Sequence, residues 1–522
     1  VTRLDALGDI VLGTMLLSGL RARWPGALIR LIVRPPLAGA GALLPEGIEV
    51  APLPFDPRDP IAGREQQLAQ ELRAFAAQNP AHVFILGEYN RVWAGELLAQ
   101  ICGATQVLSF NGPTGLNLSH QPIRQLLAAE AAPDWQTVHV ESEEREPAKY
   151  AKFLDALGLE GGTFQPAITV SQEDRAQAAA RWADIPPAPE QTIVCFPSSG
   201  EKLARSLDAG IWARWIAHLR NRAPVVLLGG EADADVLQAI ADHGLAGDVP
   251  RIIMPAARPG LLGGFLQQAR AYIGMDTGPM HVSAVLGRPT LGIFGGGHGA
   301  HRFLPVGSAV AAIRMPLGCY GCDWFCPFDR RLCIKRIPEG AIFAAGDAFL
   351  DHPPTNADIF SPHIFEIQPP IDLPVETLGA TMRQHRNFLR LNHEVTEHHA
   401  YLADIIADQR KRLEDLSTVL KDLSGTATLA EMSRQNLARD EAIRHAQEVL
   451  SEMSAQNAAR DTGIGSAKCV LAEMTLQNQA KDAAIAHLNS VIAEMSRLNL
   501  ARDEAIAQLT QQSKRKWKLW YS

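Results

Sequence analysis

The sequence predicts two parallel-sheet α/β domains followed by a long α-helical coiled coil. Three observations point to this. Short apolar runs alternate with helical patterns from residue 1 to about 345, and a Pro-rich stretch, PPAPEQ (186–191), divides them into two sets. From about 380 onward Gly and Pro nearly vanish and a 21-residue repeat sets in. Alternating strand and helix patterns argue for βαβ units and a parallel sheet. A chain of 522 residues is far longer than one core needs. Its 47% hydrophobic and 20% charged content is ordinary for a protein folding in water.

In the first domain, 1–170, LIRLIVR (28–34) and HVFILG (82–87) read as buried strands. IVLGTMLLSGLRARW (10–24) and VWAGELLAQIC (92–102) read as helices. In the second, 186–345, the strand candidates are TIVCFP, PVVLLGG, AYIGMD and PTLGIFGG, with helical segments between them. Two Rossmann-like halves of this kind bind ligands at the carboxyl ends of their strands. A cleft between them suits a donor meeting an acceptor.

The third region, 380–515, repeats LAEMSRQNLARDEAI four times with variation, so that Met432, Met453, Met474 and Met495 are each 21 residues apart, three heptads. With Leu429 at a, the a positions run Leu, Asn, Ile to Ile506, and Met432, Arg439, Ala446 and Met453 fall at d. This is a coiled-coil seam with Asn at every third a position, which fixes register and strand number. At 1.5 Å per residue it makes a rod of about 120 Å, and the expected assembly is a homo-oligomer of two or three copies of the chain. A solvated single helix or a charged tail is the bland reading. Gly463 and Gly465 weaken the second repeat.

The net charge of −8 leaves no basic field for nucleic acid. No apolar stretch reaches the length of a membrane span. The chain opens VTRLDALGDIVLG, inside a strand, with no initiator Met and no basic-then-apolar leader. We expect a clipped start, and a cytoplasmic protein. Of seven cysteines, Cys319, Cys322, Cys326 and Cys333 cluster with C-x2-C-x3-C-x6-C spacing. Without an export signal this reads as metal binding before disulfides. Four thiolates can close around one structural zinc or iron ion.

Four motifs could carry chemistry. In Arg3-Leu4-Asp5-Ala6-Leu7-Gly8-Asp9-Ile10 a strand ends, Gly8 permits a tight turn and a helix follows. Asp9 then either takes a proton from an acceptor hydroxyl or caps the helix, and spacing does not choose. Asp276-Thr277-Gly278-Pro279-Met280-His281 follows a strand and opens a helix, a setting for a pyrophosphate. Ser198-Ser199-Gly200-Glu201-Lys202, then Arg205 and Trp212, joins a donor-rich loop to two cations and suits a phosphate. Glu231 and Asp233, after strand VVLL, can accept from ribose hydroxyls, while Asp233 can equally cap a helix.

Together these motifs resemble the ADP-heptose heptosyltransferases, glycosyltransferase family nine, over about residues 1–345. The family's R-L-x-x-[IL]-G-D-[IV] turn is matched by residues 3–10, and its D-[ST]-G-x-x-H turn, small-residue helix and apolar strand by DTGPMHVSAVLGRPTLGIFGG (276–296). The resemblance implies a GT-B fold, acceptor on the first domain and donor on the second. It implies Asp9 as catalytic base and Asp276, Thr277, Gly278 and His281 gripping the donor diphosphate. Arg205 takes the place of a basic residue seven before a Trp, where Lys is common. Asp233, or Glu231, becomes the ribose-binding acid, and Glu88 and Arg91 face the acceptor. The implied reaction is one inverting displacement that requires no catalytic metal.

The cysteine motif, with GGGHGAHRFLP (295–305), resembles the branch that includes autotransporter heptosyltransferases, which carry cysteine-bound iron and modify protein hydroxyls. It implies a protein acceptor as an alternative to lipopolysaccharide or another surface glycan, at the inner face of a bacterial membrane. His298 and His301 are placed to touch donor or acceptor, and His301 equally to lie on the surface. The competing reading is a scaffold whose working part is the coil, with a degenerate sugar-nucleotide binder. Intact Asp9, Arg205 and His281 argue against it.

Overall fold

The computed structural model describes residues 1–61, 63–112, 121–127, 133–141, 144–185, 188–199, 202–244, 247–297, 301–317, 319–322, 324, 326 and 331–370. The predicted coiled coil of 380–515 and His298 lie outside them. The described residues belong to one compact unit, Val1–Asp408.

The first sheet has six parallel strands: β1 (Thr2–Arg3), β2 (Ile29–Val33), β3 (Ile48–Pro52), β4 (Val83–Leu86), β5 (Gln106–Phe110) and β6 (Asp134–Val138), in the order β3-β2-β1-β4-β5-β6. Its helices are α1 (Leu7–Arg23), α2 (Glu65–Gln78), α3 (Trp93–Ile101), α4 (Gln121–Leu126) and α5 (Glu146–Ala156). The second sheet has seven: β7 (Ile193–Phe196), β8 (Val225–Gly230), β9 (Arg251–Met254), β10 (Ala271–Met275), β11 (Thr290–Phe294), β12 (Val310–Arg314) and β13 (His363–Glu366), in the order β13-β12-β11-β10-β7-β8-β9. Around it lie α6 (Gln172–Ala183), α7 (Ala209–Arg220), α8 (Ala234–Ala241), α9 (Pro259–Gln268), α10 (Gly278–Val285), α11 (Leu332–Lys335) and α12 (Glu339–Asp351).

Every strand pair among the described residues is parallel. The central strands must therefore bury both faces, and β7, β10 and β11 are buried at every residue. α1 reads apolar almost all round because it too is covered on several sides, by α5 and α10. α6 precedes the Pro-rich stretch yet packs on α9 of the second sheet, with Trp182 stacked 4.0 Å from Phe265. No helix among the described residues is long and apolar enough to cross a membrane.

Candidate active site

Each sheet reverses its strand order at its first strand: β1 has β2 on one side and β4 on the other, and β7 has β8 and β10. In such sheets the carboxyl ends of the strands beside the reversal form the ligand crevice. β1 feeds α1 and β10 feeds α10, so the two strand-to-helix turns carry Asp9 and Asp276 to the same place. The helix N-termini abut. A Cβ on Gly8 would stand 2.6 Å from His281 Cδ2, and one on Gly278 would stand 2.9 Å from Leu7 Cβ. Only glycine at both positions allows this approach. Two helix N-termini bring their free amides and positive dipole ends to one point, a setting for an anion.

A cavity of about 280 Å³ opens there. The first domain lines it with Ala6, Gly8 and Asp9, and the second with Ser199, Arg205, Asp276, Thr277, Gly278 and His281. Met275, Ile293, Gly295, Phe303 and Trp324 complete the wall.

Asp9 uses its two oxygens differently. Oδ2 accepts from the Ala6 amide at 3.2 Å, capping α1, while Oδ1 lies 3.4 Å from Arg3 Nη2. The same guanidinium nitrogen is 3.0 Å from Asp5 Oδ2. Burial first, then the Asp5 charge, pushes the Asp9 carboxyl up to about 8, against the pull of Arg3. Burial pushes Asp276 up to about 7, with Arg205 opposing. His281 is pushed down to about 4 by burial and by Arg145, so it is neutral at pH 7. Its Nε2 is 3.8 Å from Asp276 Oδ1. Thr277 is the N-cap of α10 and its hydroxyl donates to the Met275 carbonyl at 3.2 Å.

Behind the cavity, buried Ser198 donates to Asp233 Oδ1 at 2.5 Å, and the Gly230 amide donates to Asp233 Oδ2 at 2.8 Å. Asp233 thus ties the ends of β7 and β8 together and caps the turn Glu231–Asp233. Glu231 is exposed on that turn. Lys202 opens the turn Lys202–Arg205, and its side chain lies outside the described ones. His301 sits 3.4 Å from Arg314 Nη1 on the surface.

Glu88 and Arg91 do not line this cavity. Glu88 is 2% exposed and turned onto β1, accepting from Thr2 Oγ1 at 2.6 Å and from the Leu4 amide at 2.5 Å. Arg91 pairs with Glu96 of α3 at 3.1 Å. Sequence reasoning missed the groups that surround Asp9 instead. Glu146, at the start of α5, accepts from Arg302 Nε at 2.7 Å and pairs with Lys149 at 3.0 Å. Arg302 belongs to the second domain, and its carbonyl accepts from the Glu146 amide at 3.1 Å. Its presence in GGGHGAHRFLP was the one available signal.

The cysteine loop follows β12. Cys333 Sγ accepts from the Gly296 amide at 3.3 Å, and Cys322 Sγ donates to the Gly296 carbonyl at 3.8 Å, so the two sulfurs hold the backbone of one residue from both sides. Burial pushes the Cys333 thiol up to about 12, and Cys319, Cys322 and Cys326 are near enough to add to the shift. Four cysteines suit a thiophilic ion in number and chemistry. Among the described residues, no three His, Cys, Asp or Glu side chains stand as a ready ligand set.

The family model for glycosyltransferase family 9 (heptosyltransferase) matches residues 128–323. No curated protein matches the chain. Among solved structures, E. coli ADP-heptose LPS heptosyltransferase II is similar at 16% identity and TM-score 0.47, over 67% of this chain and 97% of that one. A glycosyl transferase family 9 protein from Veillonella parvula is similar at 18% identity and TM-score 0.45, over 56% and 79%. E. coli heptosyltransferase WaaC with ADP-2-deoxy-2-fluoro heptose is similar at 16% identity and TM-score 0.40, over 60% and 92%.

Proposed function

The chain carries a glycosyltransferase family 9 domain, and from that premise we propose that it moves a sugar, heptose from ADP-heptose, onto an acceptor hydroxyl with inversion. The observation that carries this reading is the meeting of the α1 and α10 N-termini around one cavity, with Asp9 on one side and Arg205 and Asp276 on the other. The two parallel-sheet domains suit a GT-B enzyme, the acceptor on the first and the donor on the second.

In this mechanism the donor diphosphate lies against the first amides of α10, with Arg205 beside it. Asp9 takes the proton of the acceptor hydroxyl. The freed oxygen attacks the anomeric carbon as its bond to the diphosphate oxygen breaks. Negative charge grows on the departing ADP, where the helix N-terminus and Arg205 meet it. A carboxyl raised towards neutrality is a stronger base than an ordinary one and matches its task better. Asp233 and Ser198 stand one layer behind, and the proposed ribose contact falls to Asp233 with Glu231 as the alternative.

The acceptor is proposed as a protein hydroxyl or a lipopolysaccharide or surface-glycan hydroxyl. Cys319, Cys322, Cys326 and Cys333 would hold a structural zinc or iron ion, which supplies stability to the loop and no step of the transfer. Metal content of the purified protein, compared with Cys322→Ser, tests this, and equal metal-free preparations would sink it. Residues 380–515 are proposed to assemble copies of the chain.

The test of the transfer is ADP release from ADP-heptose against a panel of other sugar nucleotides, with Asp9→Ala alongside. Release confined to ADP-heptose and lost in the variant supports the reading. The turnover at saturating donor should also rise with pH towards about 8, as Asp9 loses its proton. Release from a different donor would overturn the heptose assignment, and binding of no sugar nucleotide would overturn the transferase reading.

A further inference from the structure

Among its described residues, the cysteine loop reaches the donor cavity through Trp324. Its indole lines the cavity, and the Arg205 guanidinium carbon lies 4.5 Å from its ring centroid. Arg205 and Trp324 come from different parts of the second domain, 119 positions apart in the chain. Trp324 has φ +65°, and it is the one non-glycine residue in the left-handed region among the described residues. A bulky side chain holds that conformation only where its surroundings impose it, and such positions collect at functional sites.

The surroundings that impose it are visible. The end of β11 runs into Gly295, Gly296 and Gly297. A Cβ on Gly297 would overlap the Trp324 indole, and one on Gly295 would stand 2.7 Å from its Cη2. A Cβ on Gly296 would overlap the Tyr320 ring, while the Gly296 N–H and C=O are the groups bonded by Cys333 and Cys322. Three successive glycines therefore form a bed with no side chains, and the loop lays Tyr320 and Trp324 into it. The cation set on the indole is the one that faces the anion site.

We propose that Trp324 is a positioning residue for Arg205, holding the guanidinium toward the donor diphosphate. This makes the cysteine loop part of the donor site instead of a remote structural appendage. The inference rests on the transfer reading given above. Arg is suited to the arrangement because its flat guanidinium stacks on an aromatic face while its edges still donate to phosphate, which a lysine ammonium cannot do.

The experiment is ADP titration by calorimetry on the full chain, for wild type, Trp324→Phe, Trp324→Leu, Arg205→Ala and the double variant Arg205→Ala/Trp324→Leu. Trp324→Phe keeps an aromatic face and should bind ADP within about threefold of wild type. Trp324→Leu should bind about three- to thirtyfold more weakly, the range of a lost cation–π contact. In the Arg205→Ala background the same change should add nothing, because the indole then has no guanidinium to hold. With ADP-heptose as donor, Trp324→Leu should lower kcat as well as raise KM, because a displaced guanidinium no longer meets the charge that grows on the departing ADP. A loop that merely props the fold would weaken ADP equally in both backgrounds, and that result overturns the proposal. Trp324→Leu binding like wild type overturns it as well. If wild type binds neither ADP nor any sugar nucleotide, the transfer reading falls and takes this inference with it.

Discussion

Asp9 and Asp276 are two half-buried carboxyls at equivalent turns of the two sheets, and their environments set different work. Asp9 has Arg3 at 3.4 Å and the Asp5 carboxylate held by that same guanidinium. Asp276 has the N-terminus of α10 and Arg205, and burial lifts it to about 7. A carboxyl still holding its proton can donate to a phosphate oxygen, whereas its anion repels the phosphate. The sign follows: the protonated form prevails below pH 7 and the anion above it. Affinity for an intact sugar nucleotide, whose diesterified phosphates have no proton to lose in this range, is expected to fall as pH rises from 6 to 8. Asp276→Asn should flatten that dependence, and a binding isotherm at each pH reads both. An unchanged slope in the variant would refute the role given to Asp276. The position of both carboxyls was legible in the sequence, because strand–Gly–helix turns put their side chains at the carboxyl edge of a sheet. The fate of Glu88 was not, although it too follows a strand. Its carboxylate turns sideways to Thr2 and Leu4, partners more than eighty positions away that only the strand order reveals. For Asp9 the sequence left base and cap as alternatives, and the structure has the cap bond on one oxygen and the cavity beside it.

At the scale of elements, the buried parallel strands were the easiest to read, since burial on both faces leaves an unbroken apolar run. LIRLIVR, HVFILG, AYIGMD and PTLGIFGG each contain the observed strand, β2, β4, β10 and β11. Edge strands carry no such run. β6 reads DWQTV and is mostly exposed, and β13 is exposed at both ends. The decisive element pair, α1 against α10, was half legible. Each N-terminus announced itself by a Gly and an acid, but their contact depends on which sheet faces which. Gly8 was read as a turn residue, whereas it sits in the first turn of α1 and its missing side chain makes room for His281. Gly8→Ala tests that reading. A helical Ala suits the backbone better than Gly by roughly 1 kcal/mol, so local propensity alone predicts a stabler protein. The new Cβ would meet His281 Cδ2 at 2.6 Å, and His281 is only 3% exposed and has little room to retreat. Packing should therefore outweigh propensity. We expect lower thermal stability and a fall in kcat/KM of at least tenfold, since displacement of about 1 Å at a catalytic cleft is felt at that scale. Thermal melts and kinetics on the same preparation decide between the two effects.

At the scale of the whole molecule, the described domains are joined by charge as well as by packing. Glu146 of the first domain is enclosed by Lys149 at 3.0 Å and by Arg302 of the second at 2.7 Å. Lys149 and Arg302 both lie against the Tyr89 ring, at 4.3 and 5.3 Å from its centroid. Burial pushes the Glu146 carboxyl up, but Arg302 and Lys149 outweigh it and hold it below its ordinary value. The arrangement is asymmetric, because one carboxylate serves two cations. Arg302→Met leaves Glu146 and Lys149 paired and removes the ion pair from Arg302 to Glu146 together with the guanidinium contact on Tyr89. Glu146→Gln takes the shared carboxylate from two buried cations, and removing one partner of a buried ion pair costs about 3–5 kcal/mol. The less drastic-looking change, a carboxylate to an amide of the same shape, is thus expected to be the more damaging. Urea unfolding should show Glu146→Gln well below Arg302→Met in midpoint. The double variant should recover part of the loss, since it removes one of the two cations that shared the carboxylate. Catalysis should separate the two variants differently. Arg302 lowers the Asp9 carboxyl and Glu146 raises it, so Arg302→Met moves the rising limb of the pH–rate profile to higher pH and Glu146→Gln moves it to lower pH. Opposite shifts from the two halves of one ion pair could not come from loosened domain packing, which would act on both variants alike.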